Sequence, residues 1–251
     1  MEKIITTIEA RMGSTRLPGK MGMEIYPGLP ALGAVIERLK RSRYLDDIVV
    51  ATTVDQKDNI LVEIAERFGA KVFRGSEEDV LGRVVGAGEI YKADILVLVT
   101  GDCLCISPKL IDEGVKFFLE NEYDMVSNCI IDTYPIGIDL QVVSFKALSK
   151  SYEMAKTYPF CEDPNNFEHV NYFISRHPEI FRIYHYPAPK KYNRPDIRLA
   201  LDTELDLKFL KIIYKYLYPK NENFDIEEII EFLNGEGQKF LEQYKKGKID
   251  D

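Results

Sequence analysis

The chain has 251 residues and a formal charge of −8, from 33 Lys and Arg against 41 Asp and Glu. This negative balance disfavours general attraction to nucleic acid or to an anionic membrane, so we expect neither as a partner. The composition, 45% hydrophobic and 29% charged, is that of a globular protein and excludes a disordered or fibrous chain. Since a chain of this length buries roughly 75% of its unfolded surface, we expect one domain spanning residues 1–251.

Neither a secretory signal nor a membrane helix is expected from the hydrophobic pattern. The chain has only a short apolar run before Glu9, and no later stretch approaches the ~20 apolar residues of a membrane span. The four cysteines lack the paired spacing that is typical of a zinc site, so we expect reduced thiols. These features predict a cytoplasmic protein.

Strand-like and helix-like patterns alternate through the first half of the chain. The segment 94–102 contains five consecutive apolar residues, which is typical of a strand covered on both faces. Four such alternations predict an α/β fold with a doubly wound, mostly parallel sheet and flanking helices, in which ligands lie beyond the carboxyl ends of the strands. The predicted elements are strand 3–10, helix 31–45, strand 47–53, helix 57–69, strand 70–75, helix 77–93 and strand 94–102.

The second half of the chain is less regular. Thr203 and Asp206 have the spacing of a helix capping box, and the lysine-rich end is expected to be a solvated tail. A small β excursion at about 128–160 is predicted to be either a dimer surface or a lid over the site. The other predicted elements are helix 107–121, strand 123–128, extended chain 133–145 with a turn at 135–137, a helix from Lys146, a helix within 162–177, strand and loop 182–192, a short strand 198–202, and helices from 203 and over 225–233.

The loop after the first predicted strand, EARMGSTRLPGKM, combines three cations with small residues. Backbone amides around Gly13 and Ser14 can form an anion nest, while Arg11, Arg16 and Lys20 supply positive charge for a triphosphate. The order of residues differs from a P-loop and from the GxGxxG of dinucleotide-binding folds. The structural alternative is an exposed basic turn.

Two carboxylates follow predicted strands and are candidate metal ligands. Asp102 ends the apolar strand in LVTGDC, and Asp202 ends the short strand in LALDT. Mg²⁺ takes few protein oxygens and keeps water and substrate phosphates as its other ligands, so this pair is sufficient to hold it. The alternatives are a turn carboxylate for Asp102 and, for Asp202 with Thr203, a cap of the following helix.

Two further residues have competing interpretations. Arg74 is predicted to contact a nucleotide or an acidic substrate, or to form a surface salt bridge with Glu77 or Glu78. His169 lies among apolar and aromatic residues in FEHVNYF, and a single histidine in such a setting is more often a packed core residue than a catalyst. Its participation as a general base is left open.

Seven segments of the sequence together resemble a known family. They are IEARMGSTRLPGKM, IVVATT, VFRGSEEDVLGR, VTGDC, TYPIGIDLQVVSF, EHVNYFI and LALDTELDL. In this order, from residue 4 to about 210, they are similar to the cytidylyltransferases of the spore-coat polysaccharide type, which are related to acylneuraminate and 3-deoxy-octulosonate cytidylyltransferases. The resemblance implies a nucleotide-diphospho-sugar transferase-like fold.

The resemblance also implies an activity, the CTP-dependent transfer of CMP to an acidic sugar or a related anionic acceptor, with release of pyrophosphate, for surface glycan synthesis. Members of the family form homodimers through the region comparable to 128–160. Carried over by position, the residues implied to bind CTP are Arg11, Gly13, Ser14, Arg16 and Lys20, with Arg74 as a further contact. Those implied to act in catalysis are Arg16, Lys20 and Asp102, and Asp102 and Asp202 are implied to hold Mg²⁺.

The sequence departs from the family pattern at three places. Residues 104–107 replace a stretch that contains proline and aspartate in relatives, Ile136 stands where they have aspartate, and Gln141 stands where they have glutamate. These changes lead us to expect a different acceptor, such as a phosphorylated or phosphonate compound. Two other functions stay open: another nucleoside triphosphate used with a sugar 1-phosphate, and a catalytically weak nucleotide-sugar-binding protein.

Overall fold

The computed structural model describes residues 2–249. Its strands are β1 Ile4–Glu9, β2 Glu24–Tyr26, β3 Leu29–Pro30, β4 Asp47–Thr53, β5 Lys71–Gly75, β6 Ile95–Thr100, β7 Met125–Ser127, β8 Gln141–Ser144 and β9 Ile183–His185. Its α-helices are α1 Ala31–Leu39, α2 Asn59–Arg67, α3 Val80–Ile90, α4 Pro108–Leu119, α5 Phe145–Ala155, α6 Asn165–Glu168, α7 Tyr172–Arg176, α8 Glu204–Leu217, α9 Ile226–Asn234 and α10 Gln238–Lys245. Short 3-10 helices lie at Lys20–Gly22, Gln56–Asp58 and Phe160–Glu162.

Seven of these strands form one sheet in the order β5-β4-β1-β6-β8-β7-β9. β8 pairs antiparallel with β6 and β7, and the other pairs are parallel. β1 is central, since Ile8 pairs with Val50 on one side and with Val99 on the other. The predicted α/β class is confirmed, and the carboxyl ends of β1, β4, β5 and β6 meet at one edge of the sheet.

The apolar strands are covered on both faces, as their sequences predict. Ile4 and Ile8 of β1 point into the larger core, which α1, α4 and α8 cover, whereas Ile5 points into the smaller core under α3 and α5. The glycines of α3 fit this packing, because a Cβ added at Gly88 would lie 2.7 Å from the ring of Phe145. No helix within residues 2–249 is long and apolar enough to cross a bilayer.

The segment predicted as a β excursion is part of the main body. β8 lies between β6 and β7, and α5 packs against α3. The loop between β7 and β8 is braced by Asn128, whose side chain donates to the Ile138 carbonyl and accepts from the Leu140 amide, both at 2.8 Å. Ile130 and Ile131 are exposed in this loop. A role of this segment in dimerisation stays a prediction.

Two local predictions in the second half are wrong, and a third, the helix within 162–177, is confirmed only in part. The short strand predicted at 198–202 is extended chain that makes one isolated bridge, between Arg198 and Ile136, because its backbone amides donate to loop carbonyls, that of Leu199 to Ile136 and that of Leu201 to Asp102. The helix predicted within 162–177 is two short helices, α6 and α7. The expected solvated tail forms α10, in which Leu241 is buried and Tyr244 stacks on Phe209 with ring centroids 4.5 Å apart.

The packing of α10 is tested by Leu241→Ala. Truncating this buried side chain should lower the free energy of unfolding by about 2–3 kcal/mol, because it removes apolar contacts and leaves a cavity. Lys246→Ala, at an exposed position beyond the same helix, is the control and should change stability by less than about 0.5 kcal/mol. Urea denaturation measures both. Equal stability of the two variants would show that the end of the chain is a solvated tail after all.

Candidate active site

A cavity of about 320 Å³ opens at the carboxyl ends of β1 and β6. It lies where the alternation of strands and helices predicts a ligand. All of the predicted site residues except Arg74 line it. The lining residues are Glu9, Ala10, Arg11, Gly13, Ser14, Thr15, Arg16, Lys20, Met21, Thr100, Gly101, Asp102, Glu168 and Asp202.

The loop after β1 is folded around the peptide of Met12. The Met12 carbonyl accepts from the Ser14 amide at 2.9 Å and from the Gly19 amide at 3.1 Å, which closes the loop at both ends. Gly19 has φ of 76°, in the left-handed region that favours glycine. Gly13 leaves little room for a side chain, since a Cβ there would lie 3.1 Å from the Glu77 carboxylate. The loop is therefore thin at the cavity.

The ammonium group of Lys20 joins three separate parts of the chain. Its Nζ donates to the Leu201 carbonyl at 2.7 Å and to Asp202 Oδ1 at 3.1 Å, and lies 3.6 Å from Asp102 Oδ2. Arg16 Nη2 lies 2.9 Å from the same Asp202 oxygen. These contacts place the two predicted catalytic cations directly beside the two predicted metal ligands.

Asp202 carries a concentrated set of ion pairs. Besides Lys20 and Arg16, Arg198 contacts its other oxygen. Burial opposes ionisation of this carboxyl, but the hydrogen bond and charge of Lys20, with the charges of Arg16 and Arg198, hold its pKa below the ordinary value. Asp202 is therefore a carboxylate at neutral pH.

The helix cap next to Asp202 is formed by other side chains. Thr203 accepts from the Asp206 amide at 3.2 Å, and Asp206 accepts from the Thr203 amide at 2.7 Å. The predicted capping box is confirmed. The Asp202 carboxylate is left to face the cavity cations, so the alternative of a simple helix cap does not describe it.

The oxygen donors suit Mg²⁺ when phosphates complete its coordination. Asp102 lines the cavity with its side chain 24% exposed, and Asp202 lies across Lys20 from it. Among residues 2–249, no three His, Cys, Asp or Glu side chains are grouped closely enough to hold a metal by themselves. Mg²⁺ commonly uses one or two carboxylates together with substrate phosphates, so the pair fits this ion rather than a metal that requires a full protein cage.

Arg74 lies outside the cavity, and its guanidinium group donates hydrogen bonds to the neighbouring segment 53–59. Its Nε donates to the Thr53 carbonyl and its Nη2 to the Asp55 carbonyl, both at 2.7 Å, and its Nη1 donates to Asn59 Oδ1 at 2.8 Å. Glu77, one of the acidic partners considered for it, pairs with Arg11 at 3.3 Å. The structure thus separates Arg74 from the other predicted site residues.

Other expectations about the site are also corrected. His169 is exposed at the end of α6, so the prediction of a packed core histidine is wrong. Residues 104–106 are completely buried in the core. Gln141 is buried and accepts from the Asn171 side chain at 2.5 Å. Because none of these residues lines the cavity, the departures at 104–106 and 141 give no direct evidence about the acceptor.

Two carboxyl groups of the cavity were not predicted. Glu9 is the half-buried polar residue that ends β1, and it accepts from the Thr7 hydroxyl at 2.8 Å. Burial raises the pKa of Glu9 to about 8, against the opposing effects of Thr7 and Arg83. Glu168 enters from α6. The position of Glu9 at a strand end was the available signal, whereas nothing local marked Glu168.

The chain is similar in sequence and in fold to known proteins. The cytidylyltransferase family model matches residues 5–243. The chain is 31% identical to the spore coat polysaccharide biosynthesis protein SpsF of Bacillus subtilis, over 93% of this chain and 95% of that protein. A solved cytidylyltransferase structure from Leptospira borgpetersenii superposes with a TM-score of 0.88 at 32% identity, covering 96% of this chain and 97% of that one. The 3-deoxy-manno-octulosonate cytidylyltransferase of Chloroherpeton thalassium is 37% identical over 121 residues, 47% of each chain.

These matches define the class of the protein as a nucleotidyltransferase, and the sheet, the thin cationic loop and the strand-end carboxylates suit that class. The family match over most of the chain makes the assignment more specific. The protein belongs to the cytidylyltransferase family, and the predicted resemblance to its spore-coat polysaccharide members is confirmed.

The raised pKa of Glu9 predicts a pH-dependent contribution to stability. The carboxyl has a pKa near 4.5 when unfolded and about 8 when folded, so the folded protein retains a proton that the unfolded chain releases between these values. The stability associated with this proton is complete below pH 4.5 and is lost as the pH rises through about 8. Glu9→Gln should therefore lose less stability than the wild type between about pH 5 and pH 8.

Urea unfolding at several pH values, without Mg²⁺ or nucleotide, measures this difference. Glu168→Gln is the control, because it removes a carboxyl from an exposed position of the same cavity. Parallel profiles for the wild type and Glu9→Gln would contradict a proton held at Glu9.

Proposed function

We propose that the protein is a CTP-dependent cytidylyltransferase that transfers CMP to an acidic sugar or a related anionic acceptor, with release of pyrophosphate, in surface glycan synthesis. The observation that carries the proposal is the position of Arg16 and Lys20, beside Asp102 and Asp202 in a cavity above the central strand. The similarity to SpsF supports the pathway. The half-length similarity to a 3-deoxy-manno-octulosonate cytidylyltransferase supports an acidic sugar as acceptor.

The protein contributes to this reaction mainly by positioning the reactants and by neutralising negative charge on the phosphates. An oxygen of the acceptor attacks the α-phosphorus of CTP, the bond from that phosphorus to the bridging oxygen breaks, and pyrophosphate leaves. Lys20 and Arg16 are placed to neutralise the phosphate oxygens in the transition state, in a partly enclosed site where such charges act strongly. The acceptor proton passes to a base in the cavity, for which Asp102 is the better candidate of the two carboxylates, because three cations hold the pKa of Asp202 below its ordinary value.

The proposed reaction includes a divalent cation beside the triphosphate. Asp102 and Asp202 are the residues that would hold Mg²⁺, and the bound ion would supply further neutralisation of the triphosphate. Lys20 lies between the two carboxylates in the structure. Binding of the triphosphate would give Lys20 and Arg16 a new anionic partner and would release the Asp202 Oδ1 that they contact, while Arg198 keeps the other oxygen of Asp202. Nucleotide and metal therefore replace one set of charge contacts with another.

The proposed function is tested by measuring pyrophosphate release. The assay combines Mg²⁺ and each of CTP, UTP, GTP and ATP with acidic sugars, sugar phosphates and small phosphonates. We expect release with CTP and an acidic sugar, and we expect Lys20→Ala to lower kcat/KM by about 100-fold or more, because it removes charge from the transition state. The control is Lys71→Ala, which removes a lysine that pairs with Asp47 at the amino end of β5, whereas the cavity lies at the carboxyl ends of the strands.

Other outcomes of the same assay would reassign the protein. Release with UTP and a sugar 1-phosphate would make it a different nucleotidyltransferase. Tight binding of CTP with no release for any acceptor would favour a nucleotide-binding role.

The exchange of charge partners predicts opposite effects of Asp202→Asn on binding and turnover. With EDTA present, CTP should bind roughly two- to fivefold more tightly, because Lys20 and Arg16 no longer pair with a carboxylate. With Mg²⁺ present, kcat should fall about tenfold or more, because one proposed metal ligand is lost. Isothermal titration and pyrophosphate release measure the two effects.

The control for Asp202→Asn is Asp196→Asn, which removes a carboxylate paired with Arg194 and Lys245 outside the cavity. Weaker binding of CTP by Asp202→Asn in EDTA would show that Asp202 supports the phosphate site and does not compete for its cations.

A further inference from the structure

Asp58 is a completely buried carboxylate in the segment that follows β4. Its Oδ1 accepts from the backbone amide of Met12 at 2.7 Å, and its Oδ2 accepts from the Thr53 hydroxyl. A buried carboxylate is costly unless donors satisfy both of its oxygens. Here one of those donors belongs to the loop that carries the cavity cations, 46 residues away in sequence.

Met12 transmits this contact to the whole loop. The backbone amide of Met12 donates to Asp58, and the Met12 carbonyl accepts from the amides of Ser14 and Gly19. The two ends of the loop therefore converge on one residue, whose position depends on Asp58. A displacement of Met12 would move the Gly13–Ser14 turn and the start of the 3-10 helix that carries Lys20.

Arg74 fixes the segment that carries Asp58. Its three side-chain contacts, with the Thr53 carbonyl, the Asp55 carbonyl and Asn59 Oδ1, lie on both sides of Asp58 in sequence. The planar guanidinium can make these bonds together, whereas a lysine ammonium could not reproduce their geometry. Arg74 itself lies outside the cavity lining, so its influence on the site passes through residues 53–59.

We propose that Arg74 and Asp58 are positioning residues that together set the geometry of the phosphate-binding loop through Met12. The inference rests on the proposed function for what the loop binds. Its physical basis is that phosphoryl-transfer catalysis depends on placing cations accurately, and that a misplacement of about 1 Å can cost about 100-fold in rate. The arrangement also explains why an arginine with no atom in the cavity stands at the end of β5.

The test compares two conservative variants with matched controls. Asp58→Asn keeps one acceptor for Met12 but cannot accept from both donors, and Arg74→Lys keeps the charge but loses the three-way contact. Asp46→Asn is the control for the first, because Asp46 accepts from the Ile4 amide at 2.8 Å at the opposite end of β1. Arg67→Lys is the control for the second, an exposed arginine with a single 3.4 Å carbonyl contact at Gly28.

Two measurements distinguish positioning from a general loss of stability. Hydrogen exchange should become about tenfold or more faster at the amides of Met12, Ser14 and Gly19 in Asp58→Asn and Arg74→Lys, and not in the controls. With CTP as substrate, kcat/KM for the nucleotide should fall about tenfold or more while the KM for the acceptor stays unchanged. Thermal melting shows that each variant is folded at the assay temperature.

These measurements distinguish a failure of the positioning role of Asp58 and Arg74 from a failure of the proposed cytidylyltransferase activity. Wild-type exchange rates at residues 12–19 in both variants would overturn the positioning role, as would an unchanged kcat/KM for the nucleotide in a variant with lowered melting temperature. If the wild-type protein neither bound nor turned over CTP, the proposed function would fail, and the exchange rates would still show whether Asp58 and Arg74 hold the loop. Asp58→Leu, which removes both acceptors, should exceed Asp58→Asn in its effect on exchange.

Discussion

The site depends on one ammonium group. Lys20 comes from the loop after the first strand, Asp102 from the end of the fourth strand of the parallel sheet, and Asp202 from the segment before α8. The Lys20–Asp202 contact spans 182 residues of sequence, so only the completed sheet brings these groups together. The carboxylates of Asp102 and Asp202 would repel each other, and the Lys20 ammonium group, which contacts both, makes their approach favourable. The protein thus neutralises Arg16 and Lys20 with carboxylates of its own cavity.

This arrangement reconciles an acidic protein with an anionic substrate. The chain carries a formal charge of −8, yet the cavity concentrates Arg11, Arg16 and Lys20 on a loop that has little side-chain bulk. Charges in a partly enclosed cavity are screened less than charges on the open surface, so the positions of these three cations matter more to a phosphate at short range than the net charge of the chain does. Four carboxyl groups, those of Glu9, Asp102, Glu168 and Asp202, line the same cavity, and in the proposed reaction a bound Mg²⁺ would offset their charge beside the phosphates.

Much of the site was predictable because its residues stand at the ends of recognisable strands. Apolar runs located β1 and β6, and in a parallel sheet the carboxyl ends of neighbouring strands meet at one edge, which placed the loop cations near Asp102. The role of Arg74 could not be read in this way. Its side chain is long enough to reach either a ligand or the adjacent backbone. Only the conformation of residues 53–59 shows that it donates to backbone carbonyls there. Asp58 was missed for a related reason, since its partner is a backbone amide and leaves no signature in sequence.

By itself, the sequence determined the alternation of strands and helices, the position of the cationic loop, the capping box at Thr203 and the family. These depend on local periodicity, on turn-forming residues and on motifs that are short and contiguous. The tertiary structure decided which charges pair at Asp202, the enclosure that raises the pKa of Glu9, the entry of Glu168 into the cavity and the packing of α10 against α8 and α9. These depend on burial and on distances between residues far apart in the chain, and both are set only when the sheet has assembled.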